Sequence, residues 1–155
     1  MVFMKIILPA LSFLAGLWAA GCAAETGCGD AAAYYNLGCE PGVAMETLRP
    51  AEWAAALEVF ASVHGPIEGE IAPATVHAID RNTWKHTIGS DYTYGVTFRG
   101  EAIWIDTDVA SESPALMGLV YAHEAYHWIL GEELGDGDGQ HTDPGFQMLR
   151  DRYSR

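Results

Sequence analysis

Positive charge is what this sequence has least of. Its 155 residues carry 8 Lys and Arg against 21 Asp and Glu, a formal net charge of −13. Binding to phosphate backbones needs clustered Lys and Arg, and no such cluster occurs, so the composition argues against a nucleic-acid partner and against an electrostatic hold on anionic lipid headgroups. Cysteine is also scarce. Cys22, Cys28 and Cys39 form no CxxC pair, which argues against a zinc ribbon or a thioredoxin-like redox site. Beyond the first twenty or so residues, no run is long and apolar enough to cross a bilayer. No internal repeat or change of composition marks a second domain. What remains is a chain of single-domain length, 50% hydrophobic and 19% charged, with enough apolar residues for a packed core. The excess of carboxylates makes cation binding plausible, while solubility accounts for most of them.

The N-terminal segment has the pattern of an export signal. Lys5 supplies a short positive region, and residues 6–20 form an uncharged run too short for a comfortable transmembrane helix. The run ends Ala19, Ala20, Gly21, Cys22, which resembles a bacterial lipobox, although Ala19 stands where Leu is more usual. The resemblance implies removal of residues 1–21, acylation of Cys22 and attachment to a bacterial envelope membrane, facing the periplasm. Ala23 after the lipidated Cys fits outer-membrane sorting. The alternative is cleavage nearby, after Ala24, which would yield a secreted soluble protein. With Cys22 assigned to lipid, Cys28 and Cys39 are expected to form a disulfide in an oxidising compartment. Closing so short a loop contributes roughly 2–3 kcal/mol.

Residues 22–47 read as a tether and disulfide loop, and residues 48–155 as one folded domain. Residues 50–63 should be helical: Pro50 suits a first turn, Glu52 complements the helix dipole, and Trp53, Leu57 and Phe60 recur at helical spacing. Residues 71–109 read as strand-like. Within them, 92–98 and Ala102–Asp106 flank a turn at Arg99 and Gly100, as in a β-hairpin. Ser113 and Pro114 open the longest helical signal, expected to end at Gly131. An acidic, glycine-rich loop follows. Thr142 or Asp143 then caps a last helix over residues 144–153. The fold class is therefore α+β, with a short antiparallel sheet packed on the long helix.

That helix contains His123, Glu124, Ala125, Tyr126 and His127, an HExxH pattern. Four-residue spacing puts both imidazoles on one helix face about one turn apart, so both can reach one metal ion. Glu124 points to one side, where it can act on water as a general base. The flanking Val120, Tyr121, Ala122, Trp128 and Ile129 are uncharged, the mark of a buried helix. Polar groups inside such a helix need partners.

Residues 120–129 resemble the extended active-site signature of the zincin metallopeptidases. The resemblance implies a Zn2+ ion held by His123 and His127, Glu124 as catalytic base, and hydrolysis of a peptide or protein substrate. It also implies a small sheet before the helix whose edge strand lines the cleft, for which Ala102–Asp106 is the candidate. The third ligand departs from the known clans. Leu130 and Glu133 stand where metzincins have Gly and His, Gly131 stands where minimal proteases have His, and Glu132 follows His127 too closely for a gluzincin second helix. His141 is the favoured third ligand because a neutral imidazole suits zinc and no other His follows the motif. Asp143 is second, with Asp136 and Asp138 open.

Asp136, Asp138 and Gln140, alternating with glycines, loosely suggest a calcium loop, but no Glu occupies the bidentate position and a solvated turn is the better reading. His64, His77 and His86 carry no pattern. Tyr92, Tyr94 and Tyr121 could each stabilise an oxyanion, with nothing to single one out. The expected protein is a monomeric, exported, lipid-anchored zinc metallopeptidase, touching the membrane through its N-terminal anchor only. Two alternatives stand beside it: a catalytically idle zinc-binding envelope lipoprotein, and a hydrolase of a non-peptide amide such as those in peptidoglycan.

Overall fold

A computed structural model describes residues 42–88, 94–108 and 113–155, with backbone alone at 85–88. The export signal, Cys22, Cys28, Cys39 and Tyr92 lie outside the described residues. In chain order the elements are β1 (Val43–Ala44), α1 (Met45–Leu48), α2 (Pro50–His64), β2 (Thr75–Ile79), α3 (Arg81–Ile88), β3 (Gly95–Phe98), β4 (Ala102–Asp106), α4 (Pro114–Leu134) and α5 (Pro144–Tyr153). None of the described helices is long and apolar enough to cross a membrane.

Helix boundaries follow local chemistry. Pro50 starts α2 and Gly65, at φ 95°, ends it. At the head of α4, the Ser113 side chain accepts a hydrogen bond from the Leu116 N–H, and Pro114 follows as the first helical residue. The helix runs past the expected stop at Gly131 to Leu134, and the left-handed cap falls on Gly135 at φ 76°. Gly131 is instead a buried interior residue. A Cβ there would lie 3.3 Å from Cγ of Arg99, so glycine lets that side chain cross the helix. Asp143 caps α5 by accepting from the Gly145 N–H.

The sheet order is β1-β2-β4-β3. The β3–β4 hairpin is antiparallel and pairs Gly95 with Ile105 and Phe98 with Ala102. The β2–β4 pair is parallel, with Val76 opposite Ile103 and Ile79 opposite Asp106. The α+β class is as expected, but the sheet is mixed rather than antiparallel. The reason is α3. It lies inside the stretch read as strand-like, and with β3 it makes the crossover that parallel neighbours require. A second difference is at the start of the domain. β1 pairs with β2 and Met45 is fully buried, so the fold already includes the last residues of the expected tether.

Strand alternation sorts the side chains into two cores. Ile103 and Ile105 face α2, α4 and α5, where Trp53, Phe60, Tyr126, Ile129, Phe146 and Leu149 fill the main core. Ala102 and Trp104 face the other way and pack with Ile79 and Trp84 of α3. β4 is buried at every position and lies between β2 and β3. It is therefore not the cleft-lining edge. That place belongs to β3, because the hairpin folds its first strand outward.

Candidate metal centre

α4 is buried along most of its length, and at one stretch its face opens onto a cleft of about 580 Å³. There His123 and His127 lie one turn apart, as the spacing requires. His141 returns from the loop after α4 and completes a triangle. The Nε2–Nε2 separations are 2.9 Å for His123 and His141, 3.0 Å for His127 and His141, and 3.2 Å for His123 and His127. These three residues lie close enough together to hold a metal ion.

The surrounding residues fix this triangle. The His127 Nδ1–H donates to the Gly137 carbonyl, which leaves its Nε2 lone pair aimed at the centre. All three imidazoles rest on the fully buried ring of Phe146, with centroid distances of 4.9, 4.5 and 4.9 Å from His123, His127 and His141. The loop is tied by Asp138. Its carboxylate accepts from the Thr142 hydroxyl and the Asp143 N–H, and its carbonyl accepts from the His141 N–H. Of the loop glycines only Gly135 adopts positive φ, while Asp138 at 47° and His141 at 57° take it without a glycine.

Three neutral imidazoles cannot satisfy all of these contacts among themselves, because an N–H aimed at one neighbour leaves lone pairs facing elsewhere. Protonation is opposed as well. Burial, then the neighbouring His127 and His141, with a smaller push from Arg150, lower His123 from 6.5 to about 3. Burial also lowers His127.

Glu124 is 6% exposed and lies under β3. Its Oε2 accepts a 2.8 Å hydrogen bond from the Thr97 hydroxyl, which also lies 3.0 Å from the Glu124 carbonyl. Burial raises the carboxyl from 4.5 to about 7, against a smaller lowering by Thr97. Gly95 makes this fit possible, since a Cβ there would sit 2.6 Å from Cγ of Glu124.

Asp143, the second candidate ligand, is engaged elsewhere. Its Oδ1 accepts from the Tyr126 hydroxyl and the Gly145 N–H, and its Oδ2 is 2.8 Å from Nε2 of His64. It does not join the histidine triangle. The Asp136 side chain accepts from the Asp138 N–H. His77 is buried against Trp104, and Tyr121 lies under the Arg49 guanidinium. Tyr94 lines the cleft.

Residues that the motif alone does not reveal complete the site. Thr97 and Gly95 come from the edge strand and Phe146 from α5, and Arg99 and Arg150 also line the cleft. The one sequence signal for the α5 pair is their spacing, since Phe146 and Arg150 share a helix face. No protein-family description, curated protein or solved structure matches this chain.

Proposed function

We propose that this chain is a zinc-dependent hydrolase of peptide bonds, working in the manner of the zincin metallopeptidases. The observation that carries the reading is the triangle of three Nε2 atoms beside a buried carboxylate in one cleft. Zinc suits this donor set. A tetrahedral site with Zn–N bonds of about 2.0–2.1 Å has ligand edges of roughly 3.3 Å. The separations of 2.9–3.2 Å lie just inside that.

His123, His127 and His141 would hold the ion, which would supply a Lewis acid next to the substrate carbonyl. The chain does the rest. The Gly137 carbonyl keeps His127 in the ligating tautomer. β3 presents an edge on which an extended peptide can lie. Glu124 accepts a proton from the water that attacks the scissile carbonyl and delivers it to the leaving amine. Leu116, Leu119 and Val120 form an apolar wall that limits water access on one side. The lipobox-like segment supports a site of action at the cell envelope.

The test is Glu124→Gln, assayed on a broad peptide library. It should keep zinc and lose cleavage by a factor of about 10²–10⁴. Cleavage at the wild-type rate removes Glu124 as base. A wild-type protein that holds zinc and cleaves nothing favours an idle metal-binding lipoprotein.

A further inference from the structure

The cleft is basic in a protein that is strongly acidic. Among the described residues that line it, Glu124 is the one carboxylate, whereas Arg99 and Arg150 both line it, out of only 8 Lys and Arg in the chain. The two arginines differ in how they are used. Arg99 donates to the Gly135 carbonyl and so closes the C-terminal end of α4. The Arg150 side chain has no ion pair or hydrogen bond among the described residues, in a chain where acids outnumber bases by more than two to one.

Arg150 also has a defined place along the cleft. α5 runs back along α4: Phe146 lies under His123 and His127, and Tyr153 packs on Gly118. Arg150, one turn after Phe146, therefore lies on the side of the site toward the N-terminal half of α4, next to the wall of Leu116, Leu119 and Val120. β3 runs the other way along the cleft, from Gly95 beside Glu124 to Arg99 beside Gly131. A peptide added antiparallel to β3 would enter at Arg99 and leave toward Arg150. Its residues near Arg150 would then lie on the C-terminal side of the scissile bond.

We propose that Arg150 is the specificity residue of this site, and that the substrate carries a carboxylate close on the C-terminal side of the bond cleaved. A guanidinium binds a carboxylate through two parallel N–H donors. That carboxylate is either the free C-terminus of the peptide or an Asp or Glu side chain, with an apolar residue for the neighbouring wall. This inference rests on the hydrolase reading for the word substrate, but it is tested by binding.

The test uses zinc-loaded Glu124→Gln protein, which should hold a peptide without cleaving it. Calorimetry compares three N-acetylated peptides of Leu and Ala: one with a free C-terminal acid, one with a C-terminal amide, and one amide with a Glu near its end. One of the two carboxylate peptides should bind roughly ten- to a hundredfold more tightly than the neutral amide, and which one does so identifies the source of the carboxylate. Adding Arg150→Gln should abolish that preference, leave the neutral amide unchanged and leave zinc bound. Arg150→Lys should restore part of it, and added salt should weaken it. Equal binding of all three peptides, binding of none, or a preference that survives Arg150→Gln overturns the proposal. Cleavage of all three peptides at equal rates by wild type would leave the hydrolase reading intact while removing this one. An Arg150-dependent preference in a protein that cleaves nothing would do the reverse.

Discussion

In the metal-free protein, Glu124→Gln should improve stability relative to wild type at pH 8 much more than at pH 5. Glu124 is buried, and its carboxyl is raised from 4.5 to about 7. The folded state therefore holds the proton more firmly than the unfolded chain. The stability from that proton is fully present below the unfolded value of 4.5 and is lost as pH rises through about 7. A shift of that size has a ceiling of about 3 kcal/mol, most of which should be lost between pH 5 and pH 8. Gln has no such proton, so the variant escapes this loss and can still accept from the Thr97 hydroxyl. His123 acts in the opposite sense. Lowered to about 3, it weakens the fold as pH falls below 6.5. That effect is common to both proteins and cancels in their difference. Urea unfolding of chelator-treated wild type and Glu124→Gln at the two pH values measures it directly. A stability difference that stays the same at pH 5 and pH 8 would refute the claim that burial controls this carboxyl. Added zinc should shrink the pH dependence, because a nearby cation favours the ionised form.

Other perturbations test single contacts. Gly95→Ala brings a Cβ 2.6 Å from Cγ of Glu124, so the carboxylate must move by roughly 1 Å to regain ordinary contact. Peptide hydrolysis should fall about 10²-fold while zinc stays bound, and an unchanged rate would show that Glu124 position does not matter. Asp143→Ala removes the α5 cap and the acceptor for Tyr126, so urea unfolding should show a loss of about 1–3 kcal/mol, with zinc affinity changed far less than by His141→Ala. Mass spectrometry of the exported protein should find lipid on Cys22 and a bond between Cys28 and Cys39. Free thiols at both would refute the pairing.

The most legible parts of this fold in the sequence were those set by short-range rules. Ser113 with Pro114 and Asp143 with Pro144 mark helix starts by local hydrogen bonding, Pro50 with Glu52 by a preset φ and the helix dipole, and the helices begin there. The HExxH spacing puts His123 and His127 on one face for the same reason. His141 was legible only by its chemistry, since reach alone could not choose among the residues of the loop. What stayed hidden depends on contacts distant in sequence. Gly131 has the composition of a helix stop, but its environment is the Arg99 side chain crossing from the β3–β4 turn. Whether β3 or β4 becomes the edge is decided by β4 pairing with β2, a parallel contact that no local pattern announces. α3 is short, carries only two large apolar residues, Trp84 and Ile88, and follows a strand directly, so its segment reads as a continuation of β2. Arg150 looks from sequence like a cation suited to a helix C-terminus, and only the packing of α5 on α4 turns it toward the cleft.

The central claim is that His123, His127 and His141 together bind one zinc ion. Zinc titration of the metal-free protein, read against His141→Ala and the double variant His123→Ala, His127→Ala, tests it most directly. The expected result is one tight zinc per wild-type chain, affinity weakened by orders of magnitude in His141→Ala with cooperative unfolding preserved, and no binding in the double variant. Wild-type affinity in His141→Ala, or a full equivalent of zinc in the double variant, would contradict the account.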